Sequence, residues 1–95
     1  MRNEVVEVLS DRTNAVVLRH PGRAFPGVLV QGDSLHGLCQ RADSACEKTG
    51  RDDPGFDDLN SLRNALQSLL THYKATLAEH NIALPFSEEP LRGRG

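Results

Sequence analysis

Two cysteines and a histidine are the residues whose types and spacing first suggest chemistry. His36 and Cys39 form an H-x-x-C pair, and Cys46 follows seven residues after Cys39. On one helix that spacing gives about 10 Å of rise, more than the roughly 7 Å that separates disulfide-bonded Cα atoms. Zinc sites draw on two closely spaced ligand pairs, and the sequence has no second pair. Both cysteines occupy apolar helix positions, so core packing is favoured over metal binding or nucleophilic catalysis, and no cofactor is expected.

The sequence RHPGRAFPG, residues 19–27, combines positive charge with an aromatic ring. Arg19 and Arg23 supply guanidinium groups, His20 supplies ring nitrogens, and Phe25 is the aromatic residue. Guanidinium groups pair well with carboxylates and phosphates. Two interpretations are open. The loop binds an anion or the acidic surface of a partner, or it is a solvated loop that Phe25 fastens to the core.

The segment from Gly32 to Asn60 is acidic, with seven carboxylates against three cations. Such a run is typical of a solvated surface, and acids also favour helix N-termini. It would equally suit a basic partner, because opposite charges steer association. The candidate partner-binding residues of the whole chain are therefore Arg19, His20, Arg23, Asp43, Glu47, Asp52, Asp53, Asp57 and Asp58.

Three short β-branched runs must position the basic loop. They cover residues 3–10, 15–20 and 28–31, and turn-forming residues separate them. Two such runs joined by a short polar loop predict a β-hairpin, and the third run adds a strand. The simplest arrangement is a three-stranded antiparallel meander.

The hydrophobic period changes to three and four residues after the third run, which predicts a helix from about Gly32. Asp33 or Ser34 is suited to cap its first amides, and Gly50 is suited to the left-handed position just past its end. His36 is expected on the exposed side of this helix.

A second helix is predicted from the stretch after residue 50. Asp53 is the expected cap, with Pro54 at the first helical position. A stripe of leucines then continues to about Glu79, and Asn81 is suited to a left-handed C-terminal residue. The following residues 83–86 are expected to lie extended across the body of the protein.

The element order β-β-β-α-α predicts an α+β fold, in which a three-stranded antiparallel sheet packs one face against two helices. Ninety-five residues are enough for one domain. We assign residues 1–86 to that domain and predict a disordered tail over 87–95.

The bulk composition excludes several classes of protein. A net charge of −2 and a pI near 6 argue against direct nucleic-acid binding. No apolar run approaches the roughly 20 residues that span a bilayer, and the N-terminus lacks the layout of a signal peptide. A cytoplasmic location without membrane association is therefore expected.

The stretch FPGVLVQGDSL, residues 25–35, resembles the N-terminal domain of HicB-type antitoxins. The matching residues are Pro26, Gly27, Gln31, Gly32, Asp33, Ser34 and Leu35, and the resemblance covers about residues 4–46. The family's acidic residue before Pro-Gly is replaced here by Arg23-Ala24-Phe25, and a long amphipathic helix stands where the family has a DNA-binding domain. The whole sequence, including the closing EHNIALPF, also resembles a group of small bacterial proteins without assigned activity.

HicB-type domains are non-catalytic proteins that neutralise a small ribonuclease toxin. The resemblance therefore implies a protein-binding module rather than an enzyme. Such a module would be an antitoxin or immunity protein that occludes a nuclease-like cognate toxin. The alternative is a self-associating structural or regulatory domain, because the leucine stripe of the second helix is wide and sheet edges invite pairing. A homodimer is thus a second expected kind of assembly. A small-ligand binder or enzyme that uses the basic loop is the third hypothesis.

Overall fold

The computed structural model describes residues 2–87 and has five secondary-structure elements. The strands are β1 (Glu7–Ser10), β2 (Val16–Arg19) and β3 (Gly27–Leu29), and the helices are α1 (Gly32–Thr49) and α2 (Phe56–Glu79). The predicted α+β class and the order β-β-β-α-α are confirmed. The predicted tail from residue 88 onward lies outside the described residues.

The sheet is an antiparallel meander in the order β1-β2-β3. Glu7 lies opposite Arg19 and Val8 opposite Leu18, but the register then shifts by one residue before Ser10. This irregularity is a β-bulge at Leu9, which bends the strand and increases its twist.

One face of this sheet is entirely apolar. Side chains of directly paired residues point to the same face, and that face changes with each step along a strand. Val8 pairs with Leu18, and Val16 pairs with Leu29. These four residues define the apolar sheet face, while the opposite face carries the Glu7–Arg19 pair and Val28 among others.

The helices form an antiparallel hairpin that contains the buried core. Asp43 of α1 contacts Gln67 of α2, and Gly32, earlier in α1, lies against Tyr73, later in α2. The buried apolar residues are Cys39, Ala42, Cys46 and Leu70. The cysteines therefore pack between the helices, as their apolar positions predicted.

The predicted packing of the sheet against the helices is wrong. Within residues 2–87, close Cα approaches join α1 to α2 and each strand to its neighbour, but none joins a strand to a helix. The Cα radius of gyration is accordingly 16.2 Å, against about 12 Å for a compact domain of this length. The core lies inside the helical hairpin, and both sheet faces are left without a helix.

The helix termini agree with the predicted backbone conformations and caps only in part. Gly50 after α1 has a positive φ of 80°, but its ψ of 156° lies outside the left-handed helical region, whereas Asn81 after α2 has the predicted positive φ, 58°. At the start of α1, Gln31 is the N-cap and makes no side-chain cap bond, but Asp33 Oδ1 accepts a hydrogen bond from the Ser34 amide at 2.8 Å, so Asp33 satisfies one of the first amides as predicted. The α2 helix begins at Phe56 after Gly55 rather than at Pro54.

Candidate protein-binding surface

The basic loop between β2 and β3 is held in a defined conformation by a tight turn. The Arg23 amide donates a hydrogen bond to the His20 carbonyl oxygen at 3.1 Å. Between them, Pro21 supplies the fixed φ of the first central position, and Gly22 supplies a φ of 84°. That combination is the signature of a type II turn, which Pro-Gly favours because glycine adopts positive φ without strain. The loop is therefore preorganised.

Arg19 holds this loop in place and is not a free binding group. Its Nη1 donates to the Ala24 carbonyl oxygen at 3.2 Å, across the loop. Its Nε lies 2.9 Å from Glu7 Oε1, which makes an ion pair, although the N–H is not directed at that oxygen and so forms no hydrogen bond. We therefore assign Arg19 to positioning the loop, and its predicted contact with a partner stays a prediction.

The other members of the loop line an open groove beside β3. His20, Arg23 and Phe25 lie along it, together with apolar residues of β2 and β3 that include Leu18 and Leu29. Phe25 is 83% exposed, so it does not fasten the loop to a core. The groove lining contains no carboxylate, and it therefore combines positive charge with exposed apolar surface.

The groove follows the free edge of the sheet. β3 is paired with β2 on one side, and no other strand among residues 2–87 pairs with it. All three residues of β3 are exposed. An edge strand of this kind presents unpaired backbone N–H and C=O groups, to which an extended segment of another chain can add.

Two of the predicted acidic binding residues have structural partners within the chain, and their predicted contact with another protein stays a prediction. Asp43 accepts a hydrogen bond from Gln67 Nε2 at 3.3 Å and lies 3.9 Å from Arg63 Nε, which links α1 to α2. Asp53 Oδ1 accepts a hydrogen bond from the Gly55 amide at 2.8 Å and stabilises the turn before α2.

The remaining acids form an exposed group at the far end of the helical hairpin. We call this group the acidic turn; its members are Glu47, Asp52, Asp57 and Asp58. Because α1 has 18 residues, the helix extends about 27 Å away from the sheet before this turn. The structure therefore does not bring the basic and acidic candidate residues into one site.

The thiol chemistry considered from the sequence is disfavoured by the environment of Cys39. Burial raises the pKa of the Cys39 thiol above its ordinary value, and the Asp43 carboxylate raises it further. A neutral thiol is a poor nucleophile and metal ligand. Among residues 2–87 no group of three or more histidine, cysteine and acidic residues is arranged to hold a metal ion.

The sequence suggested that His36 is exposed on α1. In the structure its ring is partly covered by an aromatic stack. Its ring lies 4.1 Å from the ring of Phe86, with an angle of 6° between their planes. Tyr73 of α2 is 6.5 Å from the same phenylalanine ring. Phe86 therefore contacts both helices. The sequence predicted that residues 83–86 lie across the body of the protein, but it did not predict which side chains they contact.

Fold and surface together define a small α+β protein with a preorganised basic loop beside an open sheet edge. The chain belongs to the family of unknown function DUF6959, whose model matches residues 1–86. No curated protein and no solved structure matches it. No described helix has the length and apolar character needed to cross a membrane.

Proposed function

We propose that this chain is a non-catalytic protein-binding module of antitoxin or immunity type, which occludes the surface of a toxin. The observation that carries the proposal is the open edge of β3 beside the rigid loop that carries Arg23 and Phe25. A partner strand that adds to β3 would gain backbone hydrogen bonds. Specificity would come from Phe25, which offers apolar contact, and from Arg23, which suits a carboxylate of the partner.

The loop geometry favours binding over a solvated loop without function. A phenylalanine in a flexible loop would lose backbone freedom on binding, whereas the type II turn over residues 20–23 has already fixed the backbone that leads to Phe25. The Arg19 hydrogen bond to Ala24 adds a second constraint on the same loop. Preorganisation of this kind increases affinity because less order remains to be imposed in the complex.

The acidic turn supports a basic, nuclease-like toxin as the partner. Glu47, Asp52, Asp57 and Asp58 are exposed and lie far from the loop, so they would act mainly by steering the encounter. The resemblance of residues 4–46 to HicB-type antitoxins supports the same class of partner. The cellular setting of the proposal is the cytoplasm.

Co-expression with the product of the adjacent gene tests the proposal. We expect that product to be toxic alone, to lose its toxicity when this chain is present, and to copurify with it. An R23E/F25A variant should lose both rescue and binding. An R12E variant is the matched control, because Arg12 is an exposed arginine in the β1–β2 turn, at the opposite end of the sheet.

Two outcomes would overturn the proposal. One is that no neighbouring product binds and no toxicity is relieved. The other is that R23E/F25A retains full rescue, which would remove the loop and the β3 edge from the interface. Salt dependence of the association rate, compared between the natural chain and a D57N/D58N variant, measures the steering contribution of the acidic turn.

A further inference from the structure

The apolar sheet face is uncovered in the single chain. Val8 is 56% exposed and Leu29 is 48% exposed, although both belong to an apolar face. Apolar surface stabilises a protein in proportion to the area that is removed from water. The open face of this sheet would therefore gain stability from a cover.

The helical hairpin has an uncovered apolar side of its own. Leu69 immediately precedes the buried Leu70 on α2, and Leu38 immediately precedes the buried Cys39 on α1, so each lies about 100° around its helix from the core. Because the helices are antiparallel, these positions fall on the same side of the hairpin. Leu62 lies on that side too, two turns before Leu69. Exposed fractions of 38% for Leu38, 54% for Leu62 and 59% for Leu69 show that this hairpin face is open.

The junction between β3 and α1 keeps these two faces of one chain apart. Gly32 is buried at the first turn of α1, where the ring of Tyr73 occupies the space that a side chain would fill. Only residues 30 and 31 separate the end of β3 from this fixed point. The sheet is therefore held at one end of the hairpin rather than folded over its own helices.

We infer that two copies of this chain form a two-fold symmetric dimer in which the apolar sheet face of each copy covers the hairpin face of the other. A single symmetric contact then buries all four open faces. The proposed toxin contact uses the outer edge of β3 and the side chain of Phe25, which belong to neither apolar face, although Leu18 and Leu29 of the sheet face also line the groove beside the basic loop. The dimer inference does not rest on the toxin proposal, and light scattering and toxin rescue test the two contacts separately.

Charge distinguishes this arrangement from other ways of pairing two copies. Residues 2–31 carry four arginines and three carboxylates, a net charge of +1, whereas residues 32–79 carry eight carboxylates and five cations, a net charge of −3. Sheet-on-hairpin contact brings opposite charges together. Contact between two hairpins would bring together two segments that each have a net charge of −3. Contact between two sheets would bring together two segments that each have a net charge of +1. Electrostatic complementarity therefore selects the first.

Light scattering on the full chain after size-exclusion chromatography tests the inference. We expect a mass of twice 10.4 kDa at micromolar concentration. A hairpin variant, L62E/L69E, and a sheet variant, V8E/L29E, should each shift the mass to that of the monomer. T71E and V28E are matched controls, because Thr71 is an exposed residue about 200° around α2 from Leu69 and Val28 lies on the other face of the sheet, and they should leave the dimer intact.

Mixing the two disrupted variants separates the proposed contact from other dimers. The intact sheet of the hairpin variant can still cover the intact hairpin of the sheet variant, so a 1:1 mixture should show an association that neither variant shows alone. A monomeric natural chain would overturn the inference. So would a dimer that only one of the two variants disrupts, or a mixture without association. Circular dichroism of each variant verifies that the helices are retained.

Discussion

The ring of Tyr73 lies so close to the backbone of Gly32 that a Cβ atom added there would overlap the ring. This contact joins the first turn of α1 to the last third of α2, at the point where the chain leaves the sheet. It explains why α1 begins at a glycine: a larger residue would displace the aromatic ring that also approaches Phe86.

A substitution at this contact gives the sharpest test of the hairpin packing. We expect Gly32→Ala to lower the free energy of unfolding by about 1–3 kcal/mol, the usual effect of overpacking. Gly37→Ala is the matched control, because a Cβ at Gly37 meets no atom within 4 Å. It should stabilise the helix by up to about 1 kcal/mol. Urea unfolding followed by circular dichroism measures both, and similar effects at the two glycines would contradict the contact.

Phe25 and Phe86 should respond differently to the same substitution. Phe86→Ala removes the stack on His36 and should cost about 1–2 kcal/mol of stability, within the range for an aromatic pair and its buried area. Phe25→Ala removes a ring that is 83% exposed and should leave the thermal midpoint unchanged. A loss of stability in the Phe25 variant would show that this ring packs within the protein.

The raised pKa of Cys39 predicts that the stability of the protein decreases as the pH rises. The folded state disfavours the thiolate, so the unfolded chain releases its proton at lower pH, near the ordinary thiol value of 9.0. Stability from this group is fully present below that pH and falls as the pH rises above it. We expect a decrease in the thermal midpoint between pH 8 and 10 that is smaller in a Cys39→Ala variant than in the natural chain.

Thiol labelling provides a second measure of the same environment. In a Cys46→Ala background, Cys39 should react with a disulfide reagent at least tenfold more slowly in the folded protein than in urea, because it is buried and neutral. Asp43→Asn should speed the reaction at alkaline pH by removing the nearby negative charge. Equal folded and unfolded rates would place Cys39 outside the core.

The turn before α2 offers a test of which acids are structural. Asp53→Ala loses the hydrogen bond to the Gly55 amide and should cost about 0.5–1.5 kcal/mol. Asp52→Ala, at the adjacent exposed position, should change stability by less than about 0.5 kcal/mol. If the two variants unfold at the same urea concentration, the Asp53 contact contributes nothing.

Part of the basic loop was predictable from the sequence and part was not. Pro21 and Gly22 predict a bend from local preferences alone, and the structure contains the corresponding turn. The separate roles of Arg19 and Arg23 were not predictable, because only the pairing of β1 with β2 brings Glu7 beside Arg19. Likewise, Asp43 and Asp57 look equivalent in the sequence, but only Asp43 faces Gln67 across the hairpin.

By itself, the sequence determined the strands, the helices and their order, because β-branched runs, helical periodicity and glycine positions act over a few neighbouring residues. It also placed Cys39 and Cys46 in the helical core, since both lie on one apolar stripe. Only the tertiary structure decided the position of the sheet relative to the helical hairpin. The sheet's position depends on a contact between residues 41 positions apart, Gly32 and Tyr73, which no local pattern encodes. That contact leaves the apolar faces of the sheet and the hairpin open, and the inferred dimer contact follows from it.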